Sequence, residues 1–395
     1  MIKDRHQARD ILYNTFETPQ TEIVSVRESF GRVLAEDIFT DRDFPDTRKS
    51  AVDGYAHIPG HSQYELKGET GAGRKGPSAI NGKETVFVMT GASVPEGTLS
   101  VARVEDCTDN DGTVTIPEMA AGENVNNIGE ECFKDTIVAE KGSVIKDNLY
   151  PVLFYLGRSE VKVFKRPKIG IFVTGDEILE VEDDYQKGLV FNTNRYILES
   201  FFTRFGFDFE YYGHVKDSRE EVAGAFEEMS SKYDIIISSG GISMGKYDFV
   251  KDVFRNYGYE ILFERTRIKP GSPLMLAKRS GCTFIGMPGY PAAFTTNLLF
   301  YVLPALRKAY GHKDNEFAVV DAVMTTDTRA KEGRFELNRA VVSVEEGRFY
   351  ASDAGTQKTS HYNSFASVNG LILLDEETGS LSEGDMAKVL ILDVK

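Results

Sequence analysis

Several stretches of this sequence hold residue types that could do chemistry. Thr174-Gly175-Asp176-Glu177 follows the apolar run 168–173. In an open parallel sheet, ligands bind beyond the carboxyl ends of the strands. Two carboxylates there could hold Mg²⁺ through waters and so tolerate a phosphate nearby. The same residues also read as a helix cap with an acidic first turn. A second stretch, Ser238-Ser239-Gly240-Gly241-Ile242-Ser243-Met244-Gly245, follows the run 234–238. Glycines let a backbone approach a phosphate, and free N–H groups at a helix start attract anions. Neither the P-loop spacing nor GxGxxG is present, and a plain tight turn is the competing reading. Asp248 follows as a metal-ligand candidate or a solvated carboxylate.

Downstream, residues 246–279 carry eight basic and four acidic side chains, +4 locally in a chain of −15. Arg265, Arg267 and Lys269 lead into Pro270-Gly271. This pattern suits either a grip on a fixed anion or an edge strand guarded by charge. Met287-Pro288-Gly289-Tyr290-Pro291 reads as a stiff loop with Pro291 near the start of a helix. Ser50-Ala51-Val52-Asp53-Gly54-Tyr55-Ala56 places one acid and one aromatic among small residues, in a site loop or a simple turn. The six histidines are scattered, without HExxH or His-x-His spacing.

The elements that must position these residues follow from composition and periodicity. The chain has 395 residues, 41% hydrophobic and 27% charged, which implies two to four globular domains. Its net charge of −15 disfavours nucleic acid and acidic lipid as partners. An anionic small molecule could bind where cations concentrate. Cys107, Cys132 and Cys282 are odd in number and far apart, which argues against a disulfide framework or structural zinc. The charged N-terminus lacks a secretory pattern, and residues 292–306 are too short for a membrane span, so a cytoplasmic protein is expected.

Residues 3–16 read as an amphipathic helix and 21–26 as a strand. Residues 43–135 alternate short apolar runs with glycine-rich turns, a β-rich module. Helical pattern returns at 147–156. Between 166 and 312, buried strands (168–173, 234–238) alternate with helices (193–205, 218–232, one after Gly245, and 292–310). That rhythm predicts a parallel sheet wrapped by helices. Residues 317–395 read as a separate β-domain.

Taken together and in order, SAVDGYA (50–56), MTGASVPEG (89–97), TGDE (174–177), NTNR (192–195), SSGGISMGKYD (238–248), IKPGSP (268–273), MPGYPA (287–292) and SVNG (367–370) resemble one family. It is the molybdopterin molybdenumtransferases, called MoeA in bacteria and the gephyrin E-domain in animals. The resemblance implies a multidomain α/β plus β fold in an elongated subunit. A central doubly wound, MogA-like domain would span 166–312. A split N-terminal domain would take 1–42 and 136–165, a β-rich insert 43–135, and a C-terminal β-barrel-like domain 313–395. It further implies a homodimer whose active cleft lies between subunits. The reaction would insert molybdenum from molybdate into adenylylated molybdopterin, with Mg²⁺, and release AMP. The pathway adenylyltransferase and acceptor molybdoenzymes are the further partners implied.

Carried onto this chain, the family's functional residues are Asp53, Thr90, Asp234, Arg265, Lys269, Arg339 and Ser360 for catalysis. Glu177 and Asp248 are the metal-associated acids. Thr174, Gly175, Asn192, Asn194, Ser239, Gly240, Gly241, Pro288, Gly289 and Pro291 would bind substrate. The chain departs from the family pattern at Asn126 and Asn127, at Glu131, at Lys246 and at Tyr290, where asparagine is usual; Arg265 stands where many members have lysine. The competing readings are an adenylyltransferase-type paralogue, which would need ATP and not molybdate, and a scaffold without turnover. The length counts against the first, and the joint presence of Asp53, Glu177, Asp248 and Lys269 counts against the second.

Overall fold

The computed structural model describes residues 1–73, 76–242, 253–254, 256–279, 281–331, 333–377 and 379–392. The chain divides into two compact units, one of Met1–Glu36, Lys141–Pro151 and Arg158–Lys395, the other of Asp37–Glu140 and Val152–Gly157.

The larger unit is built on a seven-stranded sheet. Its order is Ile2–Lys3, Glu260–Thr266, Pro273–Arg279, Cys282–Met287, Ile235–Ser239, Ile169–Thr174, Glu210–Val215. The sheet is covered on both faces, and the sequence shows why. Along each central strand alternate side chains enter opposite cores. Ile169, Ile171, Ile235, Ile237, Leu274, Leu276 and Ile285 join one. Phe172, Ile236, Met275, Ala277 and Phe284 join the other. Such strands have no polar face, so they appear in sequence as unbroken apolar runs. Helix Thr193–Phe205 contributes Ile197, Leu198 and Phe202 to the first core, and helix Arg219–Lys232 contributes Val222, Phe226 and Met229 to the second. Ser218 caps the latter, its Oγ accepting from the Glu221 N–H at 3.2 Å.

The sheet is parallel through Glu210–Val215, Ile169–Thr174, Ile235–Ser239 and Cys282–Met287. Beyond that it departs from the expected parallel pattern, because Pro273–Arg279 runs antiparallel to both of its neighbours. The cause is local. Arg279 and Cys282 are opposite each other, and a two-residue connection can join only antiparallel strands. The strand Glu260–Thr266, which carries Arg265, is also no bare edge, since Ile2–Lys3 pairs outside it. The 292–310 helix runs from Pro291 to Ala309 with a π turn at Leu298–Val302 just before Pro304. Proline's missing N–H favours such an irregular turn. The helix expected after Gly245 lies largely outside the described residues.

Five C-terminal strands close into a barrel: Phe335–Glu345, Arg348–Asp353, Val319–Met324, Met386–Ile391 and Gly370–Leu374, which pairs back onto Phe335–Glu345. Ile268–Lys269 adds to it in parallel at Phe335–Glu336. The smaller unit is a six-stranded sheet of short strands, with two modest cores around Val86, Val88 and Val101 and around Tyr64 and Val114. Gly54 is required there, because a Cβ would lie 1.8 Å from the Ala102 carbonyl oxygen. The three cysteines are free, and among the described residues no helix is long and apolar enough to cross a membrane.

Candidate active site

Strand register decides which loops meet. Val173 stands opposite Ser239, and Ser239 opposite Met287. The turns after these three strands therefore emerge side by side at the sheet's carboxyl edge. They enclose a cavity of about 850 Å³. It gathers Thr174, Gly175 and Glu177 from the first turn, Ser239, Gly240 and Gly241 from the second, and Pro288, Gly289 and Pro291 from the third. Asn192, Asn194 and the barrel-side Ser360 complete this set of expected residues.

The turns touch closely. Gly240 has φ +90°, and a Cβ there would meet the Thr174 carbonyl oxygen at 2.7 Å. Both constraints select glycine. Asn194 is 5% exposed and ties two turns together, donating from Nδ2 to Ser239 Oγ at 2.6 Å and to the Gly289 carbonyl at 2.8 Å. Asn192 caps helix Thr193–Phe205, accepting from the Arg195 N–H at 3.2 Å, and donates to Glu180 Oε1 at 2.8 Å. Glu180 also accepts from Tyr211 at 2.7 Å and Arg195 at 3.1 Å. Burial pushes the Glu180 carboxyl up, but these three donors hold it below its ordinary value. Both asparagines thus shape the cavity as well as line it.

Asp217, which sequence reading missed, also lines the cavity. Burial raises its carboxyl above the ordinary value, the Asp176 and Glu177 charges add to the rise, and Thr174 and His214 offset part of it. Its signal was available in principle: Asp217 follows strand Glu210–Val215 much as Glu177 follows Ile169–Thr174. A partly desolvated carboxylate with further acids nearby, beside glycine-rich turns, forms a place for a cation and a phosphorylated ligand together. Among the described residues, no cluster of three His, Cys, Asp or Glu side chains is disposed to hold a metal alone. Asp248 and Lys246 lie outside the described residues.

Other expected residues sit elsewhere. Asp234 is at the amino end of strand Ile235–Ser239, a strand length (roughly 16 Å) from the cavity. There its Oδ2 accepts the Lys168 N–H at 2.8 Å, and it borders a separate hollow with Lys165 and Lys278. The structure does not bring it to the other candidate residues, because an acid that opens a strand and one that follows a strand lie on opposite sheet edges. Arg265 and Lys269 are outside the cavity lining, although Pro273, opposite Arg265, is within it. Lys269 Nζ donates to both oxygens of the buried Glu336 carboxylate at 3.0 and 3.1 Å.

Arg339 is 2% exposed, so it faces no open cleft in this subunit. Its guanidinium donates to the carbonyls of Thr356, Lys358 and His361, the last at 2.6 Å, and so fixes the loop that carries Ser360. In the smaller unit Thr90 donates to Asp53 Oδ1 from its N–H at 2.6 Å and its hydroxyl at 2.8 Å. Those bonds hold the exposed Asp53 carboxyl below its ordinary value.

The chain is similar to known proteins over nearly its whole length. The chain matches the families described as MoeA N-terminal region (domain I and II) over residues 4–157, probable molybdopterin binding domain over 170–308, and MoeA C-terminal region (domain IV) over 321–392. It is similar to the molybdopterin molybdenumtransferase of Haemophilus influenzae, 32% identical over 392 residues and covering 97% of each chain. The Bacillus subtilis molybdopterin molybdenumtransferase is 27% identical over 387 residues, covering 94% of this chain and 90% of that one. The crystal structure of a molybdopterin biosynthesis MoeA protein from Pyrococcus horikoshii superposes with a TM-score of 0.84 at 25% identity, covering 100% of both chains.

Proposed function

From the premise that the chain belongs to the MoeA family of molybdopterin molybdenumtransferases, transferases of molybdenum cofactor biosynthesis, we propose that it inserts molybdenum from molybdate into adenylylated molybdopterin and releases AMP. The observation that carries this reading is the cavity where Asp217 and Glu177 face the Ser239-Gly240-Gly241 turn. A nucleotide phosphoanhydride needs backbone approach and charge neutralisation at one place, and this edge of the sheet offers both.

The donor set fits Mg²⁺. A desolvated Asp217 flanked by further acids is a state that a divalent cation relieves. Mg²⁺ is usually held by one or two carboxylates and completed by water and phosphate oxygens. Glu177 and Asp217 would hold it. When bound it supplies neutralisation of charge developing on the phosphoanhydride. The rest falls to the chain's own groups. Gly240 and Gly241 leave room for phosphate oxygens against the backbone. Lys269 supplies a cation for the molybdate dianion, positioned by Glu336. Arg339 positions Ser360 at the cavity wall through the loop carbonyls.

A homodimer with its cleft between subunits belongs to the same reading. Two observations support it. Ile128, Phe133, Ile137 and Val138 leave apolar surface exposed on the smaller unit. Asp53 and Thr90 form an ordered polar pair on an open surface, as expected of a wall completed by another copy. The pathway adenylyltransferase and acceptor molybdoenzymes follow as partners that supply the substrate and take the product. The test is AMP release from adenylylated molybdopterin by the purified protein with Mg²⁺, with and without molybdate. Molybdate-dependent release is expected; release that ignores molybdate, or none from folded protein, overturns the reading.

A further inference from the structure

The cavity is lined by two chemically different sets of residues. One is polar, with Glu177, Asp217 and the Ser239-Gly240-Gly241 turn. The other is formed by Ile178, Val190 and Phe191 from a small strand pair outside the main sheet, and by Tyr290 from the third turn. In this second set large apolar side chains are bare. Tyr290 is 63% exposed, Val190 53% and Phe191 42%. Tyr185 lies beside Phe191 with ring centroids 6.4 Å apart and is also exposed. Tyr290 stands at the N-cap of the helix from Pro291 but makes no side-chain cap hydrogen bond among the described residues.

The backbone that carries Tyr290 is nonetheless held firmly. Asn194 binds the Gly289 carbonyl, Gly240 N–H donates to the Met287 carbonyl at 3.0 Å, and the Tyr290 carbonyl accepts the Phe294 N–H at 2.9 Å. Pro288 and Pro291 stiffen both sides. An exposed aromatic on a rigid turn, lining a cavity whose polar residues suit phosphate, is placed to meet a planar ring.

We propose that Tyr290 and Phe191 form an aromatic platform that stacks on the heterocycle of the bound substrate and sets its orientation against the polar residues of the lining. The inference rests on the reading of the cavity as the site for adenylylated molybdopterin. That substrate carries two planar heterocycles, adenine and pterin, and either presents a π face to stack.

The absence of tryptophan from this chain makes a direct test available. Tyr290→Trp installs a single indole at the platform, and Tyr290→Ala removes the ring. AMP and neopterin monophosphate are titrated by calorimetry against full-length wild type and both variants, with thermal unfolding as the check on folding. The expected result is a Kd roughly tenfold weaker for Tyr290→Ala, in line with loss of one base–aromatic stack. Tyr290→Trp should keep wild-type affinity and show indole fluorescence quenched by the ring that stacks. Whichever probe shows both effects identifies the heterocycle.

If wild type binds a probe but Tyr290→Ala binds it equally well and Tyr290→Trp is not quenched, the platform is wrong while the cavity assignment stands. If wild type binds neither probe, the cavity assignment fails and the platform with it.

Discussion

Each unit of this chain sets an aspartate near a threonine, and the two carboxyls shift in opposite directions. Asp53 sits on the surface of the smaller unit, where two donors from Thr90 lower its pKa and burial opposes them weakly. Asp217 sits in the cavity of the larger unit, where burial outweighs the Thr174 hydroxyl and neighbouring acids push the same way. The residue types are the same; concavity makes the difference. Four parallel strand ends side by side wall off a carboxylate, whereas a loop on a small mixed sheet only decorates a surface. A desolvated acid attracts a cation, while an exposed, well-bonded one is a fixed negative contact for something that arrives from outside.

The sharpest way to break this comparison is Asp217→Asn. Molybdate-dependent AMP release should fall by about 10²–10³-fold, the scale on which one electrostatic group at a reacting centre matters. The melting temperature should hold or rise, because a carboxylate disfavoured by its surroundings has been neutralised. A melting temperature that drops together with activity would make Asp217 a structural residue. Next is Arg339→Ala, which leaves the carbonyls of Thr356, Lys358 and His361 without their donor. Chemical denaturation should show a loss of about 3 kcal/mol. Arg339→Lys should not restore it, since an ammonium cannot reproduce the planar fork.

A pH series sharpens the picture of the larger unit. Burial, with Arg307 and Lys146 adding to it, pulls the His312 imidazole down to about 4. The folded state therefore resists a proton that the unfolded chain accepts near pH 6.5. Stability from this group is complete above about pH 6.5 and is lost as pH falls from there toward 4, by about 2–3 kcal/mol. His312→Leu should flatten that limb of the melting curve between pH 7 and 4. The smallest effect belongs to the exposed pair. Asp53→Asn should cut turnover by roughly tenfold, about 1.4 kcal/mol, and leave the melting temperature unchanged. A collapse in stability instead would mean that the Thr90 bonds hold the unit together.

Much of this was legible in the amino-acid order. Runs such as 168–173 announced strands covered on both faces, and the glycine-rich turns after them announced the cavity edge. The β-rich texture of 43–135 and 317–395 was likewise plain. Less legible were the one reversed strand of the main sheet, Pro273–Arg279, which depends on a short hairpin at Arg279 and Cys282, and the shared role of residues such as Asn194. Asp234 and Asp217 show the limit well. Both acids flank strands of the main sheet, but one opens its strand and the other follows, so they end on opposite edges of the same sheet.

The sequence by itself determined the family, through the order of its motifs, and the local geometry of each turn, through glycine and proline placed where backbone angles demand them. Periodicity and turn chemistry act over a few residues and can be read one segment at a time. Only the tertiary structure decided that Asp217 joins Glu177 and Ser239, that Arg339 is buried beneath the Ser360 loop, and that Lys269 meets Glu336. Those meetings depend on strand order and direction, which are set by the packing of the whole sheet and barrel and not by any single stretch of chain.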